Sequence, residues 1–392
     1  VTVKVTATVS LGAIEETKAF EILVGPRQLS NIQVVNGIAD GALVYIKGIV
    51  SGISANNQVT IEDASGAITV YDSKGNLVKL VGKEVEVWGE KTTRNGLIQV
   101  TNVSNHVAGD AKPLPTAINI DDLHLNKTDL LALQGHLVSR NNLIVTKVDI
   151  NSYGNVTATL MDLTTEETIQ LYWDSRVSVT GETGVDISKL VVGDIINIVA
   201  APLGWNNNPQ FGYNDKSQVV MSTDVVVVAN EAELRAALAG TAKMIKLSAD
   251  IVLTEELVLN RSVILLGNGK KVTGAETGRA ILVSANNVLI NDLTVEESAD
   301  FGIQAYKVTG VKLTNVTVTG SAKGGILVNG SAVTVEKLTL TNNTWGGIEV
   351  SQGTSVTETP VLKVIGEITY TPVAETETPV IWIDGKTTND GW

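Results

Sequence analysis

The segment 204–215, GWNNNPQFGYND, concentrates Trp205, Phe211 and Tyr213 among amide side chains. Aromatic rings combine a large apolar face with a polar handle, so such a mixture can stack on sugars or anchor a neighbouring protein. These three residues form the candidate interaction surface; the competing expectation is that Trp205 plugs the end of a barrel. The string Asp149-Ile150-Asn151-Ser152-Tyr153-Gly154 imitates the start of a calcium-binding loop. Its twelfth position is Leu160, where a bidentate Glu belongs, so no calcium ligand can be named. None of the three histidines, His106, His124 and His136, has a partner pattern, with His106 in a polar loop and the other two on apolar stretches. The absence of Cys excludes disulfides, thiolate zinc sites and Cys nucleophiles. Neither a Gly-x-Ser-x-Gly elbow nor a phosphate loop is present. No catalytic residue and no cofactor is therefore assigned, while calcium at joints between modules stays compatible with an acidic β-protein.

The elements that must position these residues are strands. The 392 residues are 43% hydrophobic but only 4% aromatic, enough for two or three cores at roughly 150 residues each. Val, Thr, Gly and Asn dominate, a β-branched and turn-rich mixture. The formal net charge of −13 repels polyphosphate, so nucleic acid is not an expected partner. No apolar run approaches about 18 residues, so no membrane-inserting helix is expected, and no charged-then-apolar leader opens the chain.

Residues 1–24 read as a hairpin: Val1, Val3, Val5, Ala7 and Val9 alternate with polar residues, and 19–24 return. Two strands are marginal alone, so this piece needs more strands from elsewhere. Residues 26–112 show short strands near 42–51, 58–62, 67–71, 84–89 and 96–100 joined by Gly and Asn turns, as in a small antiparallel barrel. A looser copy runs over 113–229. A short helix follows at 230–239, where Asn230 can cap, Glu233 completes a capping box and Gly240 ends it. Beyond it Val288, Ile290, Leu293 and Val295 recur as Val311, Leu313, Val316 and Val318, then as Val333, Val335, Leu338 and Leu340. Phe301-Gly302-Ile303 recurs as Gly324-Gly325-Ile326 and Gly346-Gly347-Ile348, at spacings of 23 and 22 residues. A supersecondary unit repeated at this period is a solenoid, with Ile303, Ile326 and Ile348 stacked inside and Thr319 on an outer turn. From 356 to 392 the register fades into strand-like fragments separated by Pro360, Pro372 and Pro379, a tail expected to cover the open end.

Several of these stretches resemble known modules. TATVSLGAIEETKAFEILV resembles the last two strands of a bacterial immunoglobulin-like repeat, which implies a partial Ig-like domain at 1–25. VYIKGIVSGI, VTIEDASGAITVY and LVGKEVEVWGE resemble the OB-fold modules of secreted bacterial nucleases and surface proteins, with Gly82-Lys83 where those modules carry Gly-Asp. In 190–205, LVVGDIINIVAAPLGW, the pair returns as Gly193-Asp194. The helix followed by IKLSADIVLTEELVLNRSVILLGNG is similar to the N-terminal cap and first coils of pectin-lyase-like right-handed parallel β-helices, spanning 230–355 here. The fold class implied is all-β: OB-like barrels, then a short right-handed parallel β-helix with an N-terminal capping helix.

Each resemblance carries a chemistry to test. Polysaccharide lyases of the β-helix superfamily place calcium-binding acids and a basic residue on one sheet, the base reaching the proton alpha to a uronate carboxylate. Here Arg261 and Arg279 lie on early turns, Lys270 and Lys271 beside a Gly turn, and Asp292, Glu296, Glu297 and Asp300 share one coil without an acidic counterpart in the next. OB-folds bind strands or sugars with aromatic platforms and a basic groove. Tyr45, Tyr71 and Trp88 could supply the platform, but 26–112 holds eight Lys/Arg against eight Asp/Glu, and 113–229 holds six against thirteen. The function expected is a non-enzymatic extracellular structural protein of a bacterium, a surface-layer, adhesin or filament subunit that self-associates. A polysaccharide-active β-helix enzyme and a nucleic-acid-binding module of a secreted nuclease are the alternatives, and a glycan is a further candidate partner. The assembly strand is the hairpin with Val1, Val3, Val5 and Val9, docking on a strand near 361–369 or 380–383 of another copy. Either that happens, or the sequence is part of a longer protein whose preceding strands complete the sheet.

Overall fold

A computed structural model describes residues 2–23, 28–353, 356–374 and 376–384. They fall into two units, Val1–Met221 and Ser222–Trp392. In the first unit β1 (Thr2–Leu11) and β2 (Ile14–Leu23) pair antiparallel, Thr2 opposite Leu23 through Leu11 opposite Ile14. Gly12, at φ +64°, makes the tight turn between them. No third strand joins this pair among the described residues.

A short helix α1 (Ile32–Gly37) precedes the first barrel; Asn31 Oδ1 caps it by accepting from the Val34 N–H at 2.8 Å. The strands are β3 (Leu43–Ala55), β4 (Gln58–Asp63), β5 (Gly66–Tyr71), β6 (Lys83–Arg94) and β7 (Leu97–Ala111). They close in the order β3-β4-β5-β7-β6, with β5 and β7 parallel. Alternation along each strand turns Ile46, Val50, Ile61, Val70, Val87 and Val100 into one dry core.

The same ring appears again. After β8 (Ile118–Asn119) and α2 (Lys127–Leu130) come β9 (Leu137–Ile150), β10 (Val156–Asp162), β11 (Thr168–Trp173), β12 (Ile195–Asn206), β13 (Asn208–Gly212) and β14 (Val219–Met221). Here β9-β10-β11-β13-β12 return to β9, again with the third and fifth strands parallel. Glycines with positive φ, Gly82 (+79°) and Gly193 (+90°), precede the fourth strand of each ring. A buried ion pair braces the second core: Arg140 Nη2 meets Asp162 Oδ2 at 2.6 Å, while Nη1 donates to the carbonyls of Ile120 and Leu123. Burial pushes the Asp162 carboxyl up, but N–H donors from Thr165 and Thr164 and the Arg140 guanidinium outweigh it and hold the carboxyl below its ordinary value.

The second unit is a parallel β-solenoid. It begins at β15 (Val225–Val228), ahead of the boundary expected at 229, because β15 pairs in parallel with β16 (Met244–Leu247). Between them lies α3 (Glu231–Ala239), capped by Asn230 Oδ1 on the Glu233 N–H at 2.9 Å. The Glu233 carboxylate reaches back to the Ala229 N–H rather than to that of Asn230. Then follow β17 (Ile251–Val252), β18 (Leu257–Leu259), β19 (Ile264–Thr273), β20 (Ile281–Val283), β21 (Leu289–Glu296), β22 (Ile303–Tyr306), β23 (Val311–Thr319), β24 (Gly324–Asn329), β25 (Ala332–Thr341), β26 (Gly346–Ser351), β27 (Val361–Thr371) and β28 (Ile381–Asp384). One sheet runs β15-β16-β19-β21-β23-β25-β27 and the other β18-β20-β22-β24-β26-β28. The described part of the tail expected at 356–392 is thus no separate cover: β27 and β28 form a further coil, in register with β25 and β26.

Stacking dictates the residues. Leu257, Ile281, Ile303, Ile326 and Ile348 occupy one in-register column and are buried, as expected for the three isoleucines. Gly302, Gly325 and Gly347 precede it because a Cβ there would meet Val318 Cγ1 at 2.2 Å, Leu340 Cδ2 at 2.9 Å and Val380 O at 2.3 Å. Long strands bend at Asn268, Asp292, Asn315 and Lys337, each at φ between +50° and +55°, where Asn and Asp are tolerated best. Asn315 Nδ2 donates across coils to Asp292 Oδ1 at 2.7 Å. Thr319 is not on a turn: it ends β23, half-buried between Glu296 and Thr341 on the outer side.

Two substitutions separate inner from outer positions. Ile326→Asp buries an unpaired charge and should lower the unfolding free energy by several kcal/mol, about 3 or more. Thr319→Asp, opposite Glu296, should cost about 1 kcal/mol or less; equal urea midpoints would refute this register. In the second barrel, Asp162→Asn strands the Arg140 charge and should cost about 3 kcal/mol or more near neutral pH. Because the folded-state pKa of Asp162 is depressed, its contribution is present above the ordinary carboxylate range and is lost as pH falls through the folded value. The deficit of the variant should therefore shrink on acidification, as read by urea titrations at two pH values.

Candidate functional site at the open strand edges

Two places expose a strand edge over an apolar face. The first is the hairpin. Val1 lies outside the described residues, Val3 contributes its backbone to β1, and Val5 and Val9 are exposed, Val9 at 71%. The second is the last coil. Ile381 continues the isoleucine column and pairs with buried Ile348, yet is 40% exposed; Ile383, paired with Val350, is 61% exposed. On β27, Val364 is 43% exposed although its partner Val335 is buried, while Leu362, Ile368 and Tyr370 are partly buried against the core. Each of β27 and β28 has one neighbour, so its other edge has no strand partner among the described residues. Such an edge, with inward apolar positions uncovered, can accept another strand.

The aromatic segment behaves otherwise. Residues 204–215 include a tight hairpin, β12 to β13, turning at Asn207 (φ +59°), with Trp205 opposite Pro209. Trp205, Phe211 and Tyr213 are buried in the core of the second barrel, so the surface expected of them does not exist. The Tyr213 hydroxyl donates to Val185 O at 2.6 Å, and burial pushes its pKa up to about 12. Of the other expected platform, Tyr45 and Trp88 stack face to face across β3 and β6 at 4.4 Å, while Tyr71 stands on β5.

Of the basic residues singled out in the solenoid, Arg261, Arg279 and Lys271 are tied to structural partners. The Arg261 guanidinium donates to the carbonyls of Ala237 and Leu238 at the end of α3. Arg279 bridges coils, Nε to Glu256 at 2.5 Å and Nη1 to Gln304 Oε1 at 2.6 Å. Lys271 pairs with Glu296 at 3.0 Å and Lys323 with Asp300 at 3.0 Å. Lys323 also sits 5.1 Å from the Trp345 ring, which meets Phe301 edge-on. Glu349 is buried on this face; burial first, then Asp384, pushes its carboxyl up. Among the described residues no group of three or more His, Cys, Asp or Glu could hold a metal.

The remaining sequence signals are local structure. Asp149 pairs with Lys147 at 2.7 Å, Asn151 Oδ1 accepts from the N–H groups of Tyr153 and Asn155, and Leu160 is core. The would-be calcium loop is the β9–β10 turn. His106 lies in β7 opposite Val87, not in a loop. The other two histidines do have partners: His124 Nδ1 meets Glu167 at 3.1 Å and His136 Nδ1 meets Glu62 at 2.9 Å. Both carboxylates also accept a backbone N–H, Leu125 and Leu137 respectively. No described helix is long and apolar enough to cross a membrane.

Comparison with known proteins bears on the solenoid. No curated protein matches the chain. Among solved structures, a hypothetical protein ygiW from E. coli is 21% identical, covering 21% of this chain and 90% of its own, with a TM-score of 0.19. A murine DNA binding protein bound with double-stranded DNA is 12% identical over 47% of this chain and 100% of its own, TM-score 0.22. A replication protein A heterotrimer bound to single-stranded DNA is 9% identical over 57% of this chain and 75% of its own, TM-score 0.17. At such scores these likenesses carry no argument. The family described as right handed beta helix region matches residues 261–359. Together with the parallel coils, this makes the second unit's repeat a right-handed parallel β-helix.

Proposed function

We propose that this chain is a non-enzymatic structural subunit of a bacterial surface, a layer, adhesin or filament component working outside the cell. In this reading the hairpin is a partial Ig-like module, the two rings are OB-folds, and α3 caps the first coils of the solenoid. The shared ring order with parallel third and fifth strands supports the OB assignment. The position of Leu234, Ala237 and Leu238 among Val228, Ile245 and Leu247 supports the cap.

The observation that carries the reading is the pairing of two unfinished elements in one chain. A hairpin exposes Val5, Val9 and Ile14, and a terminal coil exposes Ile381 and Ile383 at the end of a buried column. Addition of the hairpin of one copy to the last coil of the next satisfies both, and a head-to-tail contact of this kind propagates without closing. The engagement of Lys271, Arg261 and Arg279 with structural partners supports this reading over a lyase.

Removal of residues 1–24 tests the mechanism. The intact chain should form polymers that sediment or appear by negative stain, and the truncated chain should stay folded but run as a monomer. A donor-intact variant, Ile381→Lys with Ile383→Lys, should lose assembly in the same way while keeping its circular-dichroism spectrum. Polymers of unchanged length from either protein would overturn strand addition.

A further inference from the structure

Three strands of the solenoid end on the same pattern: β23 on Thr317-Val318-Thr319, β25 on Thr339-Leu340-Thr341 and β27 on Thr369-Tyr370-Thr371. Their register stacks Thr317 on Thr339 on Thr369, and Thr319 on Thr341 on Thr371. The middle residues turn inward, Val318 and Leu340 buried and Tyr370 packed against the core, so both threonine columns face outward. Strand β21 lengthens the first column with Thr294, and β19 adds Thr273 to the second. The two remaining positions hold Glu296 and Lys271, which pair with each other at 3.0 Å. The array therefore carries no uncompensated charge.

The fold itself spaces these hydroxyls, at about 4.8 Å between coils and about 6.6 Å between alternate residues of one parallel strand. Branching at Cβ restricts each side chain to few rotamers, which fixes hydroxyl and methyl together. The threonine side chains of the three patterns make no hydrogen bond among the described residues, and all are half-buried or exposed. A hydroxyl both donates and accepts, as water does. One such contact gains little over liquid water. Many gain together only against a partner that is rigid and repeats in two directions, because a flexible chain loses entropy at each contact it orders. Ice is such a partner: uncharged, rigid, and built of water molecules whose lattice repeats on the scale of the coils.

We propose that this outer face binds ice, with the two threonine columns as the contact surface and the stacked coils as the rigid template. The array lies on the faces of the coils and not on their edges, so the inference does not rest on the assembly reading.

Slow freezing of a solution of the full chain onto a cold surface, with serum albumin as the internal comparator, tests this, together with the coarsening of polycrystalline ice held just below its melting point. The chain should enter the ice while albumin stays in the liquid, and micromolar protein should halt the coarsening. Thr317→Lys with Thr339→Lys sets two ammonium groups within the array and should raise the concentration needed about tenfold or more, since the contacts act together. Both positions face outward, so Tm should hold; if that variant does not fold, Thr319→Lys with Thr341→Lys decides. Val258→Lys, on the other sheet, should leave ice binding unchanged. Exclusion of the full chain from ice, coarsening at the same rate with and without it, full activity in the double variant, or an equal loss in Val258→Lys would overturn the proposal.

Discussion

The covering of each coil by the next is the interaction on which the second unit depends. An isoleucine in the column Ile281, Ile303, Ile326 and Ile348 is dry only because the coils on either side place the same kind of side chain against it. Burying such a side chain is worth about 1.5–3 kcal/mol, and a single coil cannot realise it alone. A stack of this kind has no internal stopping point. Beside the first coils the apolar residues of α3 join the core, whereas at β28 the isoleucine column reaches Ile381, which is 40% exposed.

The barrels follow a different rule. Closing a ring of five strands leaves no free edge, so their exposed chemistry lies in side chains rather than in the backbone. Several polar pairs brace this unit: Arg140 with Asp162, Arg176 with Asp174, and the His136 ring with Glu62.

Much of this was legible because stacking copies constraints into sequence. The motif ending in Ile303, Ile326 and Ile348 recurs since the column must be filled at each level, and its glycine recurs since no Cβ fits. Regularity failed where coils lengthen. Ile348 to Ile381 spans more residues than the preceding step from Ile326, so β27 and β28 looked like a tail although they keep register. The aromatic segment misled for another reason. Asn and Gly around Trp205 signal a turn, which Asn207 does provide, but the tight hairpin carries Trp205 and Phe211 inward on both of its strands. Helix α1 was invisible because Ile32-Gln33-Val34-Val35 reads as strand; Asn31 caps it, and Asp63 of β4 holds it from a distance by accepting the Ile32 N–H. The histidine partners were hidden likewise, as Glu62 and His136 meet only through tertiary structure.

The central claim is that the hairpin of one copy lies on the last coil of another. The chain has no cysteine, so introduced thiols report contact without background. Val9→Cys and Ile383→Cys, made in separate chains and mixed under mild oxidation, provide the most direct measurement. Strand addition predicts a disulfide-linked heterodimer from this mixture, and a ladder when both changes sit in one chain, with none when Val9→Cys is mixed with Val258→Cys at the far end of the same sheet. No cross-link, or equal cross-linking to position 258, would contradict it.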